Sequence, residues 1–463
     1  MIKLSTLLNT SGIIDVLGKV EGLENLEVST DSRRLSGKNT FIALYGDNFD
    51  GFKFVENLLD DANLNVFIFE NKNNRMEKLA AKKKDDQVLI AVENIYSFIL
   101  ELAKNSIKDF KNRGGRVIGL TGSNGKTTNK EMLAYLLSHG LGEEKVHFTK
   151  GNLNNHIGVP LTTFDIEDHH EVAIIEMGTN HPGEIKILCD AALPDYGMIT
   201  NIGHAHIEYL KNLDGVLEEK SSLYKAIEKS KHPDKVFVLN GRDEKLRTLK
   251  KENWVQVIDE DNSNINDDAI ILELDGEKRR IDNPSLLGTH QQMNMAMCFT
   301  LSSLIYPKLS DQFLEAANNF KLKGMNRGEI REFENFKVYL DAYNANPSSM
   351  VASLRSFKTL LSQEGIEENK SLLILGDMNE IGDMARELHK KTAQEARNLG
   401  FKHFAFVGRY KDFYSEGVSD AELFEDAPQL KTSWKELTLD KEFIFIKGSR
   451  SLQLESILDI YKD

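Results

Sequence analysis

Short apolar runs of β type recur along the chain, and between them the apolar side chains fall at helical spacing; the alternation predicts an α/β protein. Thr40–Tyr45 and Asn65–Phe69 read as strands with a helix from Phe52 to Asp60 between them, which makes the first hundred residues a small mixed α/β unit. Lys111-Asn-Arg-Gly-Gly115 turns polar and is expected to be a linker. The next strand begins at Val117. Its apolar run breaks into Thr121-Gly-Ser-Asn-Gly-Lys-Thr-Thr128, and from Asn129 to Leu141 the apolar residues Met132, Leu133, Leu136 and Leu137 mark one helical face. Further strands are predicted at Val172–Met177, Tyr196–Asn201 and Lys235–Asn240, which implies a largely parallel central sheet. Asp259 to Asp268 is a polar surface loop before a hairpin strand at Ala269–Leu274. From about Lys323 a third unit follows, with strands at Val338–Leu340, Leu372–Leu375, His403–Val407 and Phe443–Lys447 and a closing helix from Leu452 to Tyr461. The expected domains are therefore 1–110, 111–322 and 323–463.

Composition narrows the function classes. With 463 residues, 40% hydrophobic and 28% charged, the chain has enough apolar material for several cores. A formal net charge of −14 argues against nucleic-acid binding, which needs a basic face to neutralise backbone phosphates. Cys189 and Cys298 form no metal-ligand or disulfide pattern and are expected in the core. No run reaches the length of a membrane span and the N-terminus lacks an apolar signal segment, so a cytoplasmic, unanchored, monomeric protein is expected.

The chemistry concentrates at the ends of the predicted strands, where open parallel sheets bind ligands. In Gly122, Ser123, Asn124, Gly125, Lys126, Thr127 and Thr128, successive backbone N–H groups and a helix N-terminus would face a polyphosphate. The lysine would reach its outer oxygens and Thr127 would ligate Mg²⁺. The common G-x-x-x-x-G-K-[ST] spacing wants glycine at Leu120, so on its own the stretch also fits a glycine-rich turn before a helix. Glu176 closes a strand beside this loop, His204 and His206 follow another, and Lys220 lies on a charged helix. Each has an ordinary reading too, as a hydrogen-bonding loop residue or a solvated lysine.

Thr121–Thr128, Gly151-Asn-Leu-Asn-Asn-His-Ile-Gly-Val-Pro160, Glu176-Met-Gly-Thr-Asn-His-Pro-Gly183 and Asn201-Ile-Gly-His-Ala-His-Ile-Glu208 together resemble the Mur ligases, whose loop has the shorter G-x-x-G-K-T form. The resemblance continues through Gly288–Asn294, Asn326-Arg327, Asp341–Met350, Leu375-Gly-Asp-Met378 and Lys447-Gly-Ser-Arg450. The Asp341-Ala-Tyr-Asn-Ala-Asn-Pro-Ser-Ser-Met350 string is similar to that of the branch joining D-Ala-D-Ala to UDP-N-acetylmuramoyl-tripeptide in peptidoglycan precursor synthesis. Asp282-Asn-Pro-Ser285 has serine where the branch adding the third residue carries arginine, and it lies too early in the chain to be that branch's motif.

The resemblance implies a central P-loop-type sheet with helices on both faces and a Rossmann-like C-terminal sheet. It implies ATP and two Mg²⁺ ions, an acyl-phosphate intermediate, and Lys126, Glu176, His206 and a CO₂-carbamylated Lys220 as catalytic residues. Thr127, Glu176, His206 and Lys220 would serve the metals. Asn294, Arg327 and Asp341 would join the loop in binding ATP. Ser32, Arg33 and Asn48 would contact the UDP moiety, although Asp31-Ser32 also suits a turn or N-cap. Asn152, Asn154 and Asn155 would meet the muramoyl peptide, although asparagines after glycine also suit a turn. Tyr343, Asn344 and Asn346, with Lys447 and Arg450, would lie near ATP and D-Ala-D-Ala. Another amino-acid-adding Mur ligase, or a P-loop ATPase or switch without ligation, is the alternative.

Overall fold

The computed structural model describes residues 2–46, 48–266, 269–274, 276–321 and 328–461. Three main sheets follow one another along the chain. The first is five-stranded, ordered Ile13–Leu17, Val88–Val92, Val66–Glu70, Thr40–Ala43, Val28–Ser29, parallel except at the Ile13–Leu17 edge.

The central sheet has six parallel strands in the order Val146–Phe148, Val172–Glu176, Arg116–Thr121, Tyr196–Ile199, Val236–Asn240, Val255–Ile258. Its inner strands are apolar along most of their length because both faces are covered. Ile118 and Leu120 pack under the helices Lys126–Leu141 and Thr289–Ile305, while Val117 faces the helices Glu184–Ala192 and Leu213–Lys229. The chain leaves Arg116–Thr121 first toward one edge and later toward the other, so that strand end lies at the reversal of strand order, where such sheets open a crevice. The strand at Ile270–Leu274 is the middle of a three-stranded antiparallel meander.

The third sheet runs Glu329–Glu332, Lys337–Asp341, Phe443–Lys447, Ser371–Gly376, Phe404–Val407, Glu422–Phe424, parallel but for its first strand. The closing segment Leu454–Tyr461 is a 3₁₀ helix rather than an α-helix. The boundary expected between 322 and 323 lies outside the described residues. No helix among the described residues is long and apolar enough to cross a membrane.

The first two residues of the stretch expected as a linker, Lys111 and Asn112, are helical instead. The helix Ile95–Asn112, capped by the Asn94 side chain, extends into it. Ile95, Phe98, Ile99 and Leu102 belong to the N-terminal core, and Ile107 and Phe110 to the central one. At its end Lys111 pairs with buried Asp195 at 2.6 Å, and Gly115 crosses so close to Phe110 that a Cβ would lie 2.4 Å from the ring. Of the paired glycines, Gly115 makes room for a side chain, while Gly114 at φ +93° supplies the left-handed turn after the helix.

Candidate active site

The helix expected from Asn129 begins at Lys126, because Gly125 at φ +76° turns the backbone directly into it. The loop before it lies flat on the neighbouring strand end, and a Cβ at Gly122 would stand 1.8 Å from Thr200 Oγ1. Asn201 O accepts from Ser123 N–H at 3.0 Å, and Asn201 Oδ1 accepts from Asn124 N–H at 3.0 Å. Lys126 Nζ donates to Gly122 O at 2.8 Å.

This loop forms one wall of a cavity of about 650 Å³ whose opposite wall comes from the third sheet. Ser123 to Thr128, Asn152, Asn154, Asn155, Glu176, His206 and Asn294 line it from the central unit, and Asp341, Tyr343, Asn344 and Lys447 from the C-terminal one. Glu176 is buried at the end of its strand. Its Oε1 accepts from Asn154 Nδ2 at 2.8 Å and Thr127 Oγ1 at 3.3 Å, while Oε2 has no hydrogen-bond partner. Asn155 also plays the turn role open to it, accepting from Ile157 N–H and Gly158 N–H. Asp341 accepts from Lys447 Nζ at 2.5 Å and Ser353 Oγ at 2.7 Å, so the cation is neutralised where it is buried.

Other predicted residues lie elsewhere. Ser32, Arg33 and Asn48 stand on the N-terminal unit and do not line this cavity; Arg33 is exposed and forks onto Asp31 at 2.9 and 3.0 Å. Arg450 is turned to Glu455 outside the cavity, and Arg327 lies outside the described residues. Asn346 does not line the cavity either, because its amide is taken up in capping the helix Pro347–Glu364 and in bonding Asn124. The Asp282–Ser285 string is structural: Asn283 Nδ2 donates to Ala317 O and Phe320 O.

Lys220 is fully buried and its Nζ has no hydrogen-bond partner, so it is not the solvated lysine its charged helix suggests. Burial, and then the nearby charge of Lys126, pushes its pKa well below the ordinary lysine value, opposed by Glu219. Glu219 is itself taken up by Gly183 N–H at 2.6 Å and Ile185 N–H at 2.7 Å, at the start of the helix Glu184–Ala192.

Glu380 is not among the residues singled out above, and His290 stands within the Gly288–Asn294 motif without an assigned role. Glu380 follows the strand Ser371–Gly376 and places Oε2 2.5 Å from His206 Nδ1; the histidine holds its carboxyl below the usual range. Both have left-handed backbone, at φ +60° and +56°. His290, at the start of the helix Thr289–Ile305, meets Ser356 Oγ at 3.4 Å, and burial pushes its imidazole down to about 4 against the pull of Asp341. A polar residue after a strand was the available signal for Glu380. The Gly288–Asn294 motif was the signal for His290.

A parallel sheet presenting a glycine-bearing loop at a helix N-terminus and a buried carboxylate to a second α/β sheet is the arrangement of an α/β nucleotide-binding site. Residues 120–302 match the Mur ligase middle domain and residues 326–450 the Mur ligase, glutamate ligase domain. The chain belongs to the Mur ligase family. It is 30% identical over 452 residues to the UDP-N-acetylmuramoyl-tripeptide–D-alanyl-D-alanine ligase of Treponema pallidum, covering 93% of this chain and 92% of that one. To the Bacillus subtilis ligase of the same name it is 29% identical over 447 residues, with 93% and 92% covered. Among solved structures it is similar to MurF from Acinetobacter baumannii, with TM-score 0.84 at 23% identity, covering 100% of this chain and 99% of that one. It is also similar to MurF from Thermotoga maritima in complex with ADP, with TM-score 0.75 at 20% identity, covering 95% and 97%.

Proposed function

We propose that the chain joins D-Ala-D-Ala to UDP-N-acetylmuramoyl-tripeptide at the expense of ATP, in cytoplasmic peptidoglycan precursor synthesis. The observation carrying this reading is that the phosphate loop, Glu176 and Asp341 open onto one cavity between two sheets, in a chain similar over nearly its whole length to ligases of that name. In the reaction the γ-phosphoryl group passes to the tripeptide's terminal carboxylate and ADP leaves. The dipeptide amine then attacks the carbonyl carbon of that acyl phosphate, and the amide forms as inorganic phosphate departs. Charge builds on the phosphoryl oxygens, so positioned donors and cations contribute more than a protein nucleophile.

Lys126 would hold the β- and γ-phosphates beside the N-terminus of its helix, and Asn294, Asp341 and Arg327 the rest of the nucleotide. Asn152, Asn154, Tyr343 and Asn344 would orient the two amino-acid substrates, with Ser32, Arg33 and Asn48 on the uridine diphosphate and domains of 1–110, 111–322 and 323–463. A buried Glu176 oxygen without a partner suits a divalent cation. Among the described residues no three His, Cys, Asp or Glu cluster as a cage, and Mg²⁺ is usually held by one or two carboxylates plus phosphate. Thr127 and Glu176 would hold one Mg²⁺, and His206 with a carbamylated Lys220 a second, to supply positive charge against the reacting oxygens. The reading is tested by phosphate release from ATP, expected only when both the UDP-tripeptide and D-Ala-D-Ala are present; release without the dipeptide would indicate an ATPase instead.

A further inference from the structure

Three side chains close a ring of hydrogen bonds between the central and C-terminal units. Asn346 Nδ2 donates to Asn124 Oδ1 at 2.6 Å, Asn124 Nδ2 donates to Ser348 Oγ at 3.0 Å, and Ser348 Oγ donates to Asn346 Oδ1 at 2.9 Å. Each group gives one bond and takes one, and the direction of the ring is forced. Asn346 caps the helix Pro347–Glu364, so its Oδ1 must face Ser349 N–H at 2.9 Å and its Nδ2 is left to point at the phosphate loop. Asn124 must then present its oxygen to Asn346 and its amide to Ser348.

The backbone of Asn124 is fixed from the other side. Its N–H donates to Asn201 Oδ1 at 3.0 Å, and its carbonyl accepts from Thr200 Oγ1 at 2.5 Å and Asn201 Nδ2 at 3.2 Å. Gly203 leaves the space, since a Cβ there would lie 2.5 Å from Ser348 Oγ. Asn346 is only 4% exposed, so water is a poor substitute for the ring partners.

We infer that this ring is a latch by which docking of the C-terminal unit sets the conformation of the phosphate loop, with Asn346 and Ser348 as positioning residues. The inference rests on the proposed function for its kinetic consequence but not for its structural one. Docking completes the ring and holds Asn124; undocking breaks both bonds to Asn124 together and leaves only the Ser348–Asn346 bond within the C-terminal unit. Phosphoryl transfer is thereby restricted to the state in which the second wall of the cavity is in place.

Asn346→Ser keeps an N-cap oxygen but removes the amide that reaches Asn124, and Ser348→Ala removes another member. Each single variant is expected to lower kcat about 10-fold, the loss of roughly 1.4 kcal/mol that one well-placed hydrogen bond accounts for, with KM for ATP within about 3-fold of the parent. The double variant should lose no more than the worse single one, because either change already opens the ring. Multiplied losses, an unchanged kcat, or a loss confined to KM would overturn the latch. Backbone amide exchange in the unliganded protein provides the readout independent of substrate. Peptides covering 122–126 should exchange several-fold faster in both single variants, and unchanged exchange there overturns the inference even if the ligase assay fails for the parent. A parent that releases no phosphate while the variants do speed exchange would instead refute the proposed reaction and leave the latch standing.

Discussion

At the scale of single residues, Lys220 separates structural from chemical roles most sharply. A fully buried amine with no hydrogen-bond partner contributes nothing to stability that an apolar chain of its length would not. It is held toward the neutral form, which is the nucleophilic form needed to react with CO₂. Lys220→Met is therefore expected to preserve or raise the thermal midpoint while lowering turnover by at least about 10³-fold, the loss typical of removing an electrostatic group from a reacting centre. Lys220→Ala, with a short carboxylic acid added, should regain part of the rate. Near-normal turnover in either variant would remove Lys220 from the chemistry. The position of this residue was legible in the sequence only through resemblance, since a lysine flanked by Glu218 and Glu219 reads locally as solvated. Its burial arises because the helix Leu213–Lys229 lies against the sheet, which no local pattern encodes. The phosphate loop was legible for the opposite reason: strand, glycine turn and helix are consecutive in the chain, although the contacts that hold its conformation come from Thr200, Asn201 and Asn346 far along the sequence.

At the scale of elements, apolar spacing located strands well and misread one connection. Runs such as Phe443–Lys447 are buried on both faces and stand out as unbroken apolar stretches. Lys111–Gly115 is expected to be a linker because its charges and paired glycines dominate, yet the helix that carries Ile107 and Phe110 at apolar spacing runs on into it as far as Asn112. The helix Ile95–Asn112 is thus shared by two cores, and it couples the N-terminal unit to the central one without a hinge. Phe110→Ala should destabilise by about 3–5 kcal/mol, the cost of emptying a buried aromatic site. Because the helix belongs to both cores, urea unfolding followed separately in the N-terminal and central units should shift together. A shift confined to the central unit would mean that the helix does not carry the coupling.

At the scale of the whole molecule, the cavity exists only as long as the central and C-terminal sheets stay together, so contacts between them belong to the function. His206 and Glu380 meet across that boundary, each with a left-handed backbone that a non-glycine residue adopts at a cost of about 1–3 kcal/mol. Such a conformation persists where its surroundings determine it, and here each residue's partner is the other. With Glu380 about half exposed, an ion contact of this kind contributes about 0.2–1 kcal/mol, so its loss corresponds to at most about 5-fold in the population of the docked state. Glu380→Ala should lower kcat/KM by a comparable factor and increase the radius of gyration in solution scattering, since the C-terminal unit loses an anchor while each sheet keeps its own core. Glu380→Gln, which retains a hydrogen-bond acceptor, should fall between the two. If Glu380→Ala leaves both the scattering and kcat/KM at parent values, the pair is incidental to docking and the cavity is held by other contacts.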